Sequence, residues 1–584
     1  MKENTKGKHD CHVYPIERVN NFKEMIDRSC KKYADHIAYK FKINLGKENQ
    51  EIVEIKYSKV KTEIESLGTA LLNMGLEGKK VAIISNNRYE WCVSYLTLTT
   101  SNMVAVPLDK MLPEQEIESL LSRAKVDAVI YENKYNDIFE NIKKQGNTTL
   151  KYYINMDIDD DENNMLSFNK LVLKGREQIE KGDKKYSEII QNTEKMAVLL
   201  FTSGTTDKSK GVMLSQKNII TNIMGMAQMS KMYDTDVILS FLPLHHTFEC
   251  TISFLYGFYS GVTIAFCDGL KYLAQNLKEY QATDFVAVPL VLETIYKKIQ
   301  KGIKEKGKEK LVNRMGKICN FLLKFNIDIK RKVFKSVLDE LGGKMRILYY
   351  GAAAMDKEVI KGYEMFGIES VQGYGLTETA PLVSAETDKE HCPGSVGIAP
   401  EGIEIKIDSP DEKGVGEVLV KGPNVMLGYY ENEKATQEAI VDGWFHTGDL
   451  GYKNEDGYLF ITGRIKEVIV LKNGENVYPT DIEFLVNKLP YVKESMLFPR
   501  ENSKKEFNLG IKIVYDKDEM MKIFGDKKEN EYKKLVWEDI KKINSELSQF
   551  KRVKELILTD EELEKTTTRK VKRFKEIEKI LKSK

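Results

Sequence analysis

From Phe22 to Leu200 the chain alternates between two periodicities. KVKTEIESLGTALLNMGL carries apolar residues at helical spacing, and KKVAIIS after it is a short apolar strand. WCVSYLTLTTSN reads as a buried helix and MVAVPL as the next strand. Strands alternating with helices of this length predict an α/β fold whose sheet is largely parallel. The pattern resumes in DFVAVPL, MRILYYG and SVQGYG. Between Tyr296 and Gly343 lies a Lys-rich helical excursion, read as a solvated amphipathic face, with a basic surface for an anionic membrane as the alternative. After about Asp408 the strands become short and turn-rich (GEVLVKG, GYLFITGR, EVIVLKNG), and from Pro479 the text is mixed helix and strand, rich in Lys and Glu. The boundary is therefore expected near Arg464–Glu467, giving a large unit over 1–464 and a small one over 465–584.

One stretch needs a membrane test. No charge occurs between Glu249 and Asp268, and CTISFLYGFYSGVTIAFC approaches the roughly 20 apolar residues of a spanning helix. Gly257 and Gly261 interrupt it, and the β-branched VTIAF reads as a strand, so the expectation is a helix, a turn and a core strand. Composition adds little direction. The 90 Lys and Arg nearly cancel 88 Asp and Glu, which gives no global reason to expect nucleic-acid binding. Seven scattered cysteines without a CxxC pair read as reduced thiols. The opening MKENTKGKHD has no apolar run of the secretory kind, so a cytoplasmic location is expected, with peripheral membrane association as the variant reading.

Five strings carry candidate chemistry. The apolar MAVLLF runs into Thr202-Ser203-Gly204-Thr205-Thr206-Asp207-Lys208-Ser209-Lys210-Gly211. Backbone N–H groups and hydroxyls in such a loop bind phosphate oxygens, and lysine neutralises their charge. It is not a Walker A loop, since GxxxxGK[ST] is absent. In Gln372-Gly373-Tyr374-Gly375-Leu376-Thr377-Glu378, the glycines permit close backbone approach, Tyr374 offers a planar face, and Glu378 is a hard oxygen ligand suited to Mg²⁺. Trp444–Asp449 contains Thr447-Gly448-Asp449, followed by Arg464 in TGRIKE. LPLHHTFE contains His245 and His246, and a histidine beside a substrate carboxylate is electrostatically sensible. KTTTRKVKR, ending at Arg573, reads alone as a solvated basic tail.

Taken together and in this order, the strings resemble the acyl-adenylate-forming superfamily, which includes acyl-CoA synthetases, luciferases and peptide-synthetase adenylation domains. The loop at 202–211 is similar to TSGTTGxPKG, with Asp207 at the usual Gly and Ser209 at the usual Pro. The resemblance implies a large N-terminal domain of mixed, largely parallel sheets with flanking helices and a small β-rich part, plus a small mobile α+β C-terminal domain. It implies that Thr202, Ser203, Gly204, Thr205, Thr206 and Lys210 hold phosphates. Gly351, Ala352, Tyr374 and Gly375 would lie at adenine, Thr377 at phosphate, Glu378 on Mg²⁺, and Asp449 and Arg464 at the ribose. His246 would sit beside the substrate carboxylate, while His245 is assigned no role. The C-terminal string is similar to T-x-T-G-K-[VI]-x-R, so Lys570 would reach the α-phosphate, although Arg569 replaces the usual Gly.

The implied activity is ATP-dependent conversion of a carboxylic acid to acyl-AMP, then transfer to coenzyme A. Lys466 would be the pivot between the two steps, with Lys472 and Gly474 on the thiol side. VPLVLETIY at 288–296 and the helical insertion before Gly351 look like long-chain fatty acyl-CoA synthetases. Two alternatives stand beside this: a ligase that loads an acyl-carrier protein or activates an aryl or other acid, and a nucleotide-binding scaffold whose chemistry has lapsed.

Overall fold

The computed structural model describes residues 10–202, 209–471, 476–501, 507–565 and 571–582. Two eight-stranded sheets dominate it. The first runs Leu382–Ala385, Glu369–Gly375, Ile347–Tyr350, Asp284–Ala287, Val237–Ser240, Thr263–Phe266, Ile37–Ile43 and Glu51–Lys56, in spatial order. Its six inner strands are parallel, with an antiparallel strand at each edge. The second runs Gly428–Tyr429, Lys210–Ser215, Met196–Thr202, Val104–Pro107, Lys80–Ile84, Ala128–Tyr131, Tyr152–Asn155 and Leu166–Ser167.

Strand alternation explains the layering. In Lys80–Ile84, Val81 and Ile83 face a core shared by the two sheets, while Ala82 and Ile84 face a second core under Glu114–Ala124 and Asn136–Gln145. Helices Phe22–Lys32, Tyr57–Asn73, Tyr89–Thr100 and Gln216–Met229 fill the shared core. Tyr89–Thr100 is buried along its whole length, which is why its sequence lacks a polar face. Each such buried aliphatic side chain stabilises by roughly 1.5–3 kcal/mol. The outer face of the first sheet packs on Leu273–Glu279, Pro289–Glu305 and Lys357–Met365.

The uncharged stretch resolves as a wide helical turn, Glu249–Tyr256, continuing through Gly257–Ser260 into strand Thr263–Phe266. Gly257, expected to interrupt the run, instead lies inside the helical segment with φ −58°; only Gly261, at φ +85°, makes the turn. Among the described residues no helix is long and apolar enough to cross a membrane. All seven cysteines are unpaired.

A five-stranded antiparallel sheet built on Glu404–Asp408, Gly416–Lys421 and Trp444–Lys453 follows, and Leu459–Arg464 pairs along it. Beyond it, Val492–Glu501, Phe507–Tyr515 and Val553–Thr559 form a three-stranded sheet under Pro479–Val486 and Glu529–Glu546. That group has its own core, including Ile482, Leu497, Ile511, Val536 and Leu558. Of the predicted strand EVIVLKNG, the described part forms strand Ile469–Val470, paired with Asn476–Val477.

Candidate active site

The parallel strands of the first sheet place their carboxyl ends, and the loops after them, along one edge. In open α/β sheets this is where ligands bind. A cavity of about 3410 Å³ opens there. Thr202, Lys210, His246, Gly351, Ala352, Tyr374, Gly375, Thr377, Glu378, Arg464 and Lys466 all line it. Sequence positions spread over more than 260 residues thus share one space.

The phosphate-loop string sits on a hairpin whose strands pair Thr202 with Lys210. Ser203, Gly204, Thr205, Thr206 and Asp207 lie outside the described residues. Ser209 is held by Arg123, whose guanidinium donates to its carbonyl at 2.6 Å and its hydroxyl at 3.1 Å. The Lys210 ammonium stands 4.5 Å from the centre of the Tyr429 ring, a cation–π contact that keeps the charge at the loop's base.

Tyr429 also reaches the second string. Its hydroxyl donates to Glu378 Oε1 at 3.0 Å, and the Met426 N–H donates to the Glu378 carbonyl at 2.8 Å. Burial, then the adjacent carboxylate, raises the Tyr429 pKa, so the phenol stays a donor. A carboxylate beside Thr377 and the phosphate-side hairpin is a hard-oxygen donor set, which fits Mg²⁺ rather than a soft metal. The glycines here are dictated by space. A Cβ on Gly375 would stand 1.7 Å from the Pro381 carbonyl oxygen, and one on Gly351 would stand 2.8 Å from that of Gly373.

At the other side of the turn, the Tyr374 hydroxyl donates to Asp449 Oδ2 at 2.7 Å, while Arg464 Nε stands 3.1 Å from Asp449 Oδ1. Asp449 and Arg464 are register partners on adjacent antiparallel strands, which explains their sequence spacing. Asp449 lies just behind the lining, its side chain 6% exposed. Glu417 steadies the preceding turn by accepting from the Gly448 N–H at 3.0 Å and contacting His446 at 2.9 Å.

His245 is largely enclosed, its side chain 10% exposed, and desolvation holds its pKa well below the usual range, so it is neutral. Its Nε2 is 3.7 Å from Asp109 Oδ2, and its ring centre is 4.2 Å from that of His246. Both histidines are partly buried and line the cavity.

Lys466 sits in a short turn, Ile465–Glu467, between the β-rich part and the C-terminal group. Lys472, Gly474, Arg569 and Lys570 lie outside the described residues. The Arg573 that closes the last string is described, and it ties that string to the turn that holds Lys466. Its guanidinium pairs with both Glu483 oxygens and stands 3.3 Å from Glu467 Oε2.

Sequence reasoning missed Tyr429, Arg123 and Glu417. Each acts on a partner far along the chain, 51 residues away for Tyr429 and 86 for Arg123, and no local periodicity marks such pairings.

The cavity has a second region. One face of helix Pro289–Glu305 lines it with Val291, Ile295 and Ile299, opposite Val312, Met315 and Val337. A polar end with phosphate-side residues and an apolar wall thus occupy one cavity.

These features define an α/β protein with one large cleft, polar at one end and apolar along one wall. Residues 26–430 match the family described as AMP-binding enzyme, and residues 466–581 match the AMP-binding enzyme C-terminal domain. The chain belongs to this family and is an ATP-binding, AMP-forming enzyme of the acyl-CoA synthetase type. Among its relatives is long-chain-fatty-acid–CoA ligase 5 of Rattus norvegicus, 30% identical over 88% of this chain and 80% of the relative. A chloroplastic long-chain-fatty-acid–acyl-carrier-protein ligase of Arabidopsis thaliana is 26% identical over 89% of this chain and 80% of its own length. The fold matches the crystal structure of an anthranilate CoA ligase in complex with anthranoyl-AMP, with TM-score 0.75 at 18% identity, covering 98% of this chain and 99% of that one.

Proposed function

We propose that the enzyme joins a medium- or long-chain fatty acid to coenzyme A, through an acyl-adenylate, with release of pyrophosphate and then AMP. The apolar face of Pro289–Glu305 carries this reading, because it lines the same cavity as Glu378, Lys210 and His246. The fatty-acid ligases among the relatives support it.

In the first half-reaction the carboxylate oxygen bonds to the α-phosphorus and the bond to pyrophosphate breaks. Two anions must meet, and the barrier falls through positioning and fixed positive charge. Thr202 and Lys210 would hold phosphate oxygens together with the loop they flank. Tyr374, Gly351 and Ala352 would bound the adenine, with Asp449 and Arg464 at the ribose. Thr377 would contact phosphate, and Glu378 would hold Mg²⁺, which when bound neutralises phosphate charge. His246 would orient the carboxylate, and Lys570 would contact the α-phosphate. In the second half-reaction the thiolate attacks the acyl carbon and AMP leaves. We assign the chain from 465 onward as the mobile unit, turning at Lys466 and bringing Lys472 and Gly474 to the thiol side.

A carrier-protein thiol is the second acceptor to compare, supported by the Arabidopsis relative. The test is AMP release with a panel of fatty acids, with CoA and acyl-carrier protein supplied separately. The expected result is turnover with CoA that rises with chain length. Turnover only with carrier protein, or only with aryl acids, would contradict the proposal.

The Lys-rich helical excursion after Tyr296 supports peripheral contact with an anionic membrane. Phe321, Phe325 and Ile327 are exposed, and residues 297–332 hold thirteen Lys and Arg against three Asp and Glu. Co-sedimentation with phosphatidylglycerol vesicles, but not phosphatidylcholine vesicles, is expected; no difference between the two contradicts the contact.

A further inference from the structure

His246 stands on a turn, Phe241–His246, that follows strand Val237–Ser240 of the first sheet. Two side chains grip that turn, Asn87 outside the recognised strings and Glu249 at the end of LPLHHTFE. Asn87 follows strand Lys80–Ile84 of the second sheet. Its amide nitrogen donates to the Leu242 carbonyl at 2.7 Å and to Ser240 Oγ at 3.0 Å. Its amide oxygen accepts from the Leu244 N–H at 3.1 Å. One side chain therefore satisfies three groups of the turn and ties the two sheets together at that point.

Glu249 grips from the opposite side. It is fully buried, and Oε1 accepts from Ser240 Oγ at 2.7 Å while Oε2 accepts from Ser253 Oγ at 2.9 Å. The backbone of Phe241 and Leu242 also faces it and offsets part of the burial's effect on its pKa. Ser240 is thus bracketed, receiving a hydrogen bond from Asn87 and giving one to Glu249. The turn itself closes on a bond from the His246 N–H to the Pro243 carbonyl at 3.0 Å. Burying an acid inside a core is expensive unless partners are supplied, and here they are Ser240, at the strand end that feeds the turn, and Ser253. Burial pushes Glu249 up to about 8, and when the acid holds its proton a serine hydroxyl turns to accept from it, as it would from a glutamine amide.

We infer that Asn87 and Glu249 are positioning residues that fix the turn carrying His246, and so set where the acid substrate's carboxylate lies. This rests on the reading of His246 as the carboxylate's neighbour. Misplacing a substrate-orienting group by about 1 Å lowers rate on the order of 100-fold.

The test is a double-mutant cycle on acid-dependent pyrophosphate exchange into ATP, with Asn87→Ala, His246→Ala and the pair, plus Glu249→Gln and Glu249→Ala. Asn87→Ala should reduce kcat/KM for the acid on the order of 10–100-fold with KM for ATP unchanged. In the His246→Ala background the same change should add less than about twofold, because residues acting through one group are not additive. Glu249→Gln should stay within about threefold of wild type, and Glu249→Ala should fall with Asn87→Ala. Fully additive losses, or equal loss in the acid and ATP parameters, would overturn the positioning role while leaving His246 intact. A His246→Ala enzyme as active as wild type would instead remove the reading of His246, and the inference with it.

Discussion

The Tyr374 hydroxyl and the Asp449 carboxylate meet at 2.7 Å, joining the carboxyl end of strand Glu369–Gly375 to the β-rich part of the chain. A ribose held by Asp449 would have to share a carboxylate already oriented by a phenol. Asp449→Asn is expected to reduce kcat/KM for ATP by about 10–100-fold, the worth of hydrogen bonds to a charged group. Tyr374→Phe, which keeps the ring, should cost less than tenfold in the same parameter. Steady-state kinetics with ATP varied at saturating acid checks both; an unchanged Asp449→Asn enzyme would contradict the assignment.

The apolar wall makes a separable prediction. Each methylene buried against Ile295, Ile299 and Val312 contributes about 0.8 kcal/mol, roughly a fourfold step in kcat/KM per carbon. Ile299→Trp should end that rise at a shorter chain and leave kcat for short acids near wild type. Rates across a homologous series of saturated acids show this directly. A parallel downward shift at every length would mean a general defect, not a shortened channel.

For Lys570, placed by resemblance and outside the described residues, the two half-reactions separate the alternatives. Lys570→Ala should slow adenylation on the order of 10²–10³-fold. Thioester formation from supplied acyl-adenylate should remain close to wild type. Equal damage to both halves contradicts its role at the α-phosphate.

Glu249 carries a pH signature of its own. Its pKa is raised to about 8 when folded, against about 4.3 for an unfolded glutamate. Between these values the native state holds a proton that the unfolded state has lost. The contribution of Glu249 to stability is therefore complete below about pH 4.3 and declines as pH rises towards 8. Thermal unfolding of wild type and Glu249→Gln across this range should show wild type losing ground to the variant as pH rises. A constant difference would contradict a buried, protonated Glu249.

The sequence announced the alternating α/β pattern because parallel strands buried on both faces must be apolar throughout, as in MVAVPL and MRILYYG. It also announced Tyr374, Glu378, Asp449 and Arg464, which lie in compact strings with little freedom of spacing. It did not announce how those strings meet. The Tyr429 contact to Glu378 and the Asn87 grip on the histidine turn join segments from different sheets. Nothing in local hydrophobic period encodes such contacts. Gly257 shows the converse: a glycine that reads as a break is held helical by its buried surroundings, where packing outweighs a propensity penalty of about 1 kcal/mol.

The account stands on a carboxylic acid with a long apolar tail meeting ATP in one cavity. Pyrophosphate exchange into ATP, measured for saturated fatty acids of increasing length, tests this most directly. Exchange that requires the acid and strengthens with each added carbon is the predicted result; exchange absent with every acid, or indifferent to chain length, would contradict it.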